Sequence, residues 1–225
     1  MSLVTLAQLR EACRERADMV NSTFIENPEL DSIINRSINS LYGLITSKFG
    51  EDYFVTESSP IPLVSGQVEY DLPADFFKLL GVDLEQGGGN RVNLKRFTFN
   101  QRNRNLNTLN HIYADYRYRL QGDKVALSPR PTSGSSIVLW YIPLPPKLVL
   151  VDDTFNGFNG WEEWVILDAA IKMRIKEETS VEELVRERML IDNRIQAEAD
   201  NRDASEPSYV QDLESYDQRR GVRWP

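Results

Sequence analysis

Few residues in this chain have the types and spacing that chemistry needs. His111 is the single imidazole, and no serine, aspartate or second histidine frames it at a recognisable spacing, so a hydrolytic triad has no support. Asp71 with Asp75, and Asp152 with Asp153, are paired carboxylates of the kind that exchange protons or hold a cation. Both pairs flank prolines or polar loops, where aspartate usually serves turns and caps. Gln86-Gly87-Gly88-Gly89-Asn90 is glycine-rich, yet it lacks the Lys-Ser/Thr of a phosphate loop and does not lead into a helix. One cysteine, Cys13, allows neither an internal disulfide nor a cysteine-based zinc site. No catalytic, cofactor-binding or metal-binding residue is assigned, and the expectation is a protein that is not an enzyme.

Binding chemistry is better represented. Between Arg91 and Arg119 stand seven basic residues, Arg91, Lys95, Arg96, Arg102, Arg104, Arg117 and Arg119, against one acid, Asp115. That stretch is net +6 in a chain of net −8, so the remainder carries −14. Arginines at alternate strand positions can meet phosphates while tyrosines between them stack on bases. They can equally pair with the acidic surplus of a neighbouring subunit, and both readings stay open. The last residues, with Tyr209, Tyr216, Arg219, Arg220, Arg223 and Trp224, are of the types that dominate interface hot spots. They sit in a stretch too polar to fold alone, which suits an arm that orders on a partner. A plain disordered terminus is the alternative.

The elements that must position these residues change period twice. Thr5-Leu6-Ala7-Gln8 has the capping-box pattern and predicts a helix to about Asp18. Asn27-Pro28 predicts a second start, with Asn27 as cap, and Leu30, Ile33, Ile34, Ile38, Leu41 and Ile45 follow at helical spacing until Gly50. Prolines and glycines then punctuate β-prone runs near 53–58, 67–72, 77–85, 91–96, 112–120, 123–128 and 135–142. Gly87-Gly88-Gly89 and Gln121-Gly122-Asp123 read as hairpin turns. Tyr116, Tyr118 and Leu120 alternate with Arg117 and Arg119, as on a strand with one packed and one wet face. The segment Asn100 to Asn110 reads as a loop or short helix.

Helical spacing returns at Trp161, Trp164, Leu167, Ile171 and Ile175, with the tryptophans as core anchors. Thr179-Ser180 breaks the pattern, and Ser180-Val181-Glu182-Glu183 repeats the capping box ahead of a last helix to Asn201. The expected fold is α+β: a helical bundle framework, an inserted antiparallel β-sandwich or barrel-like module, and an extended C-terminal arm. Its parts are N-terminal helices over 1–52, the β module over 53–146, a helical hairpin over 147–201 and the arm over 202–225. No apolar run approaches the roughly 20 residues that span a bilayer, and Met1 to Leu6 lacks a signal-peptide pattern. Synthesis in the cytoplasm and no membrane partner are the corresponding expectations.

Several stretches resemble bacteriophage head-to-tail adaptor (connector, head-completion) proteins. They are Pro62-Leu63-Val64-Ser65-Gly66-Gln67-Val68-Glu69-Tyr70-Asp71-Leu72-Pro73, Tyr118 to Pro131 with its Gly122-Asp123 turn, Leu139-Trp140-Tyr141-Ile142-Pro143, and Gly160-Trp161-Glu162-Glu163-Trp164-Val165-Ile166-Leu167-Asp168-Ala169-Ala170. Their order carries the resemblance more than any one of them. It implies a structural virion protein at the head–tail junction. Such proteins form a homo-oligomeric ring, commonly of twelve copies, beneath the portal protein. Tail or tail-completion proteins lie on the other side, and double-stranded DNA passes transiently through the lumen without a cofactor. The arm would bind portal, and the basic residues would face a neighbour or the channel. A tail-completion or terminator protein, or a glycan-binding or glycan-hydrolysing tail module, are the alternatives.

Overall fold

The computed structural model describes residues 3–86, 89–101, 116–131 and 134–202. Within them the chain is α+β, with four α-helices and mostly antiparallel strands. The predicted arm beyond Arg202, His111, most of Asn100 to Asn110, and the glycines Gly87 and Gly88 lie outside the described residues.

Strand β1 (Leu3–Thr5) leads directly into α1 (Leu6–Arg16). Thr5 caps α1 as expected: its Oγ1 accepts from the Gln8 amide at 3.2 Å, and the Gln8 side chain accepts from the Thr5 amide at 2.9 Å. Helix α2 (Asn27–Phe49) buries the predicted stripe, with Leu30, Ile34, Ile38, Leu41 and Ile45 fully covered. Each such side chain contributes roughly 1.5–3 kcal/mol on leaving water. The predicted cap is corrected. Glu26 occupies the cap position, and the Asn27 Oδ1 instead accepts from the Arg14 guanidinium at 3.1 Å, tying α1 to the start of α2.

Helices α3 (Glu162–Lys176) and α4 (Glu182–Asp200) form a hairpin. The pairs Asp168–Arg188 and Trp164–Asp192 advance on one helix as they retreat on the other, which fixes the antiparallel register. Residues 177–181 join them, a longer joint than Thr179-Ser180 alone, and no side-chain cap forms at Ser180 because Val181 takes the cap position. Trp161 and Trp164 are core anchors, 1% and 5% exposed. All four helices share one apolar core, which also takes in Leu148 and Phe155.

Strands β2 to β10 build a second core, of which Val82, Ile137, Leu139, Val125 and Leu127 are members. One sheet has the order β2 (Thr56–Glu57), β10 (Ser136–Pro143), β5 (Phe76–Gln86), β6 (Asn90–Asn93), with β3 (Ile61–Pro62) also on β10. The other runs β4 (Glu69–Asp71), β9 (Lys124–Ser128), β8 (Arg117–Gln121), β7 (Lys95–Arg96). The β8–β9 hairpin turns at Gly122-Asp123, where Gly122 has φ 59°.

Two strand expectations change, and one pairing is new. Residues 51–54 form a 3-10 turn, so only Thr56–Glu57 of the 53–58 run is strand. The run 91–96 is broken at Leu94, whose amide donates to the Val82 carbonyl at 2.8 Å. Before that point the chain is antiparallel to β5; after it, β7 is parallel to β8. One continuous stretch thus edges both sheets. Finally, β1 pairs with β11 (Thr154–Asn156) in a small separate sheet that the sequence pattern did not reveal.

Candidate functional site

The basic stretch is divided by the fold. Arg91, on β6, places its Nη1 2.7 Å from Glu57 Oε2, and this hydrogen bond raises the guanidinium pKa above its ordinary value. Its charge is therefore largely answered within the chain. Lys95 and Arg96 lie exposed on β7, and the parallel register sets Lys95 opposite Arg117 of β8. These three form the described part of a basic edge. Arg102 and Arg104 lie outside the described residues.

The expected wet face of β8 is corrected at Arg119. Its guanidinium sits over the Phe99 ring, 4.9 Å from the centroid, and Nη1 is buried without an aligned hydrogen-bond acceptor. Arg117 and Arg119 are both half-buried, as is Tyr118 on the opposite face. Arg119 lines a hollow of about 260 Å³ with Phe97, Phe99, Gln121 and Arg130. Phe97 and Phe99 follow β7 directly, which is how a cation predicted for solvent becomes covered by aromatic surface.

Three of the four paired carboxylates, Asp71, Asp75 and Asp153, have partners within the fold. Asp75 accepts from the Tyr141 hydroxyl at 2.9 Å, and burial together with this contact raises the Tyr141 pKa. Asp71 lies 3.5 Å from Lys124 across the β4–β9 pair. Asp153 accepts from the amides of Val149 and Leu150 at 2.7 and 2.8 Å, and these two bonds hold its pKa below the usual carboxylate range. Cys13 is fully buried, and desolvation pushes its thiol up to about 12. Among the described residues no group of three histidines, cysteines, aspartates or glutamates could hold a metal ion. Nor is any described helix long and apolar enough to cross a membrane.

Two surface features were not anticipated from the sequence. Val149, Leu150 and Val151 are 64%, 67% and 50% exposed, a run of three aliphatic side chains on a turn pinned by Asp153. The other is the root of the predicted arm. The Arg202 guanidinium lies 4.8 Å from the Tyr53 ring centroid and 5.9 Å from that of Phe49. The chain therefore leaves α4 beside the 3-10 turn that links α2 to the β strands.

Among the described residues the arrangement offers docking surfaces. A family model described as SU10 adaptor protein matches residues 4–205, taking in both helical and β parts. The chain belongs to that family. No curated protein sequence matches it. The adaptor family is one of bacteriophage structural proteins, as the ordered stretches from Pro62 to Ala170 imply, and it is not known for enzymatic activity. The six arm residues, Tyr209, Tyr216, Arg219, Arg220, Arg223 and Trp224, lie outside the described residues and beyond the matched range.

Proposed function

We propose that this adaptor forms a homo-oligomeric ring beneath the portal, joins the DNA-filled head to the tail, and lets double-stranded DNA pass through its lumen. The observation that carries this reading is the family match over residues 4–205. Two further features favour it. A basic strand edge within a chain of net −8 gives a neighbouring copy an oppositely charged surface to meet. A ring closes when one such head-to-tail contact repeats by rotation. An overall acidic wall would also let DNA slide, whereas a strongly basic one would grip it.

In this reading the helical parts, 1–52 and 147–201, form the ring body and the β module, 53–146, faces the tail. Residues 202–225 reach the portal through Tyr209, Tyr216, Arg219, Arg220, Arg223 and Trp224, with twelve copies as the family norm. Lys95, Arg96 and Arg117 meet the next subunit or the channel, together with Arg102, Arg104 and the largely neutralised Arg91. Deleting residues 203–225 tests the arm. The shortened chain should keep its circular dichroism and cooperative unfolding, because both described cores lie within residues 3–202, and lose portal binding. Undiminished portal binding by the shortened chain would assign the contact elsewhere, and binding to tail components alone would favour a tail-completion protein.

A further inference from the structure

Two adjoining hollows of about 560 and 540 Å³ run along one face of α2, between that helix and the segment 144–149. They share Asn39, Leu144 and Pro145, so they make one groove, reaching from Pro28 at the start of α2 to Glu51 past its end. Its walls are mostly apolar, and Phe77, Leu144 and Val149 stand in it 57%, 49% and 64% exposed.

Gly43 lies in this groove, in the middle of a 23-residue helix. Glycine there costs roughly 1 kcal/mol relative to alanine. Nothing in the described fold accounts for it, since a Cβ built at Gly43 meets no atom within 4 Å. A mid-helix glycine facing an open apolar groove suits close approach by another stretch of backbone.

We infer that this groove is the docking site of the chain's own residues 203–225. Three observations select that occupant. The first is where the segment starts. From Arg202 a chain of aromatic contacts leads to the groove: Arg202 over Tyr53 at 4.8 Å, Tyr53 against Phe54 at 4.8 Å, and Phe54 stacked on Tyr42 at 3.9 Å. Tyr42 lines the groove. The second is length. Helix α2 is about 34 Å long at 1.5 Å per residue, and the 23 residues from Asp203 onward extend to roughly 75 Å. The third is charge and side-chain type. Between 203 and 217 the segment carries five acids, Asp203, Glu206, Asp212, Glu214 and Asp217, and no base, with Tyr209, Val210, Leu213 and Tyr216 among them. The groove offers Arg36 and Lys147, while its two acids, Asp31 and Glu51, are already paired with Arg10 and Lys78. This acidic stretch with its apolar side chains fits an apolar groove with basic residues, and the segment's three arginines, Arg219, Arg220 and Arg223, follow it at the far end. This inference does not depend on the portal reading.

Cysteine pairing in the full-length chain tests it. Gly43→Cys is combined in turn with Val210→Cys, Leu213→Cys and Tyr216→Cys, and disulfide formation is followed by mass spectrometry at low protein concentration. Cys13 does not compete, because it is fully buried and its thiol is raised to about 12. The comparison is Asn193→Cys, on the exposed face of α4 and only nine residues before Arg202, which a free tether would reach as readily. Docking predicts that at least one Gly43 pair closes within a single chain roughly tenfold faster than its Asn193 counterpart, through raised local concentration. Gly43→Trp, which fills the groove, should then raise hydrogen exchange of residues 203–225 in the otherwise unaltered chain. Equal closing rates at the two sites would overturn the inference. Disulfides that form only between two chains would overturn it too, by giving the groove to another copy's segment. Unchanged exchange in Gly43→Trp would count against it in the same way.

Discussion

Asp168 of α3 accepts a hydrogen bond of 2.6 Å from Arg188 of α4, and the carboxylate is almost wholly buried. Its second oxygen lies 2.6 Å from Lys172 Nζ, and the same ammonium also donates to Ser37 Oγ of α2 at 3.0 Å. One carboxylate therefore joins three helices. Asp168→Ala would leave two partly buried cations unanswered, and breaking a buried ion pair in this way costs about 3–5 kcal/mol. Chemical denaturation should show a loss of that order. A loss under ~1 kcal/mol would mean that the network is slack.

Tyr42 ties α2 to the end of β10. Its hydroxyl donates to the Pro143 carbonyl at 2.8 Å, and its ring stacks on Phe54. Tyr42→Phe keeps the stacking and removes the bond, for an expected loss of about 1 kcal/mol. Burial, followed by the nearby charge of Asp75, pushes the phenol from 10.0 up to about 12. A phenol whose folded pKa exceeds its unfolded value contributes fully below the unfolded value, and the contribution fades as pH rises through the folded one. The advantage of the parent chain over Tyr42→Phe should accordingly shrink between pH 10 and 12, as read by denaturation at each pH.

Glu163 carries the opposite lesson. Desolvation raises its pKa above the carboxylate norm, opposed by Arg16 and reinforced by Glu187 and Glu162. Its ionised form is thus disfavoured by folding at neutral pH. Glu163→Gln should unfold at a slightly higher temperature than the parent at pH 7. The two midpoints should converge as pH falls through the glutamate's folded pKa. A variant less stable than the parent at pH 7 would show that the 3.5 Å contact with Arg16 outweighs the desolvation.

The basic edge separates binding from stability. Lys95 and Arg96 are exposed, and the double change Lys95→Glu, Arg96→Glu should move the unfolding free energy by less than ~0.5 kcal/mol. Association with neighbours or the portal should weaken and lose part of its salt dependence. Unchanged assembly across a salt series would remove this edge from the interface.

Much of the framework was legible because local chemistry dictates it. The α2 stripe follows a 3.6-residue period, Thr5 and Gln8 close a capping box, and Gly122 supplies the positive φ that the β8–β9 turn needs. What stayed hidden depends on contacts distant in sequence. The β1–β11 ladder pairs Leu3 with Asn156, and nothing local signals it. Asn27 looks like a cap, but Arg14 claims its side chain from the previous helix. Arg119 alternates as a solvent-facing residue should, yet Phe99 covers it from a neighbouring segment. The α2 groove was equally invisible, because its far wall, Phe77 and the segment from Leu144, comes from parts of the chain distant in sequence.

The most direct test of the central claim is electron microscopy of the full-length protein alone and mixed with the cognate portal. The adaptor reading predicts rings seated on the portal's narrow end, with their subunit number countable from the images. An intact portal that stays bare in the presence of excess protein would contradict it.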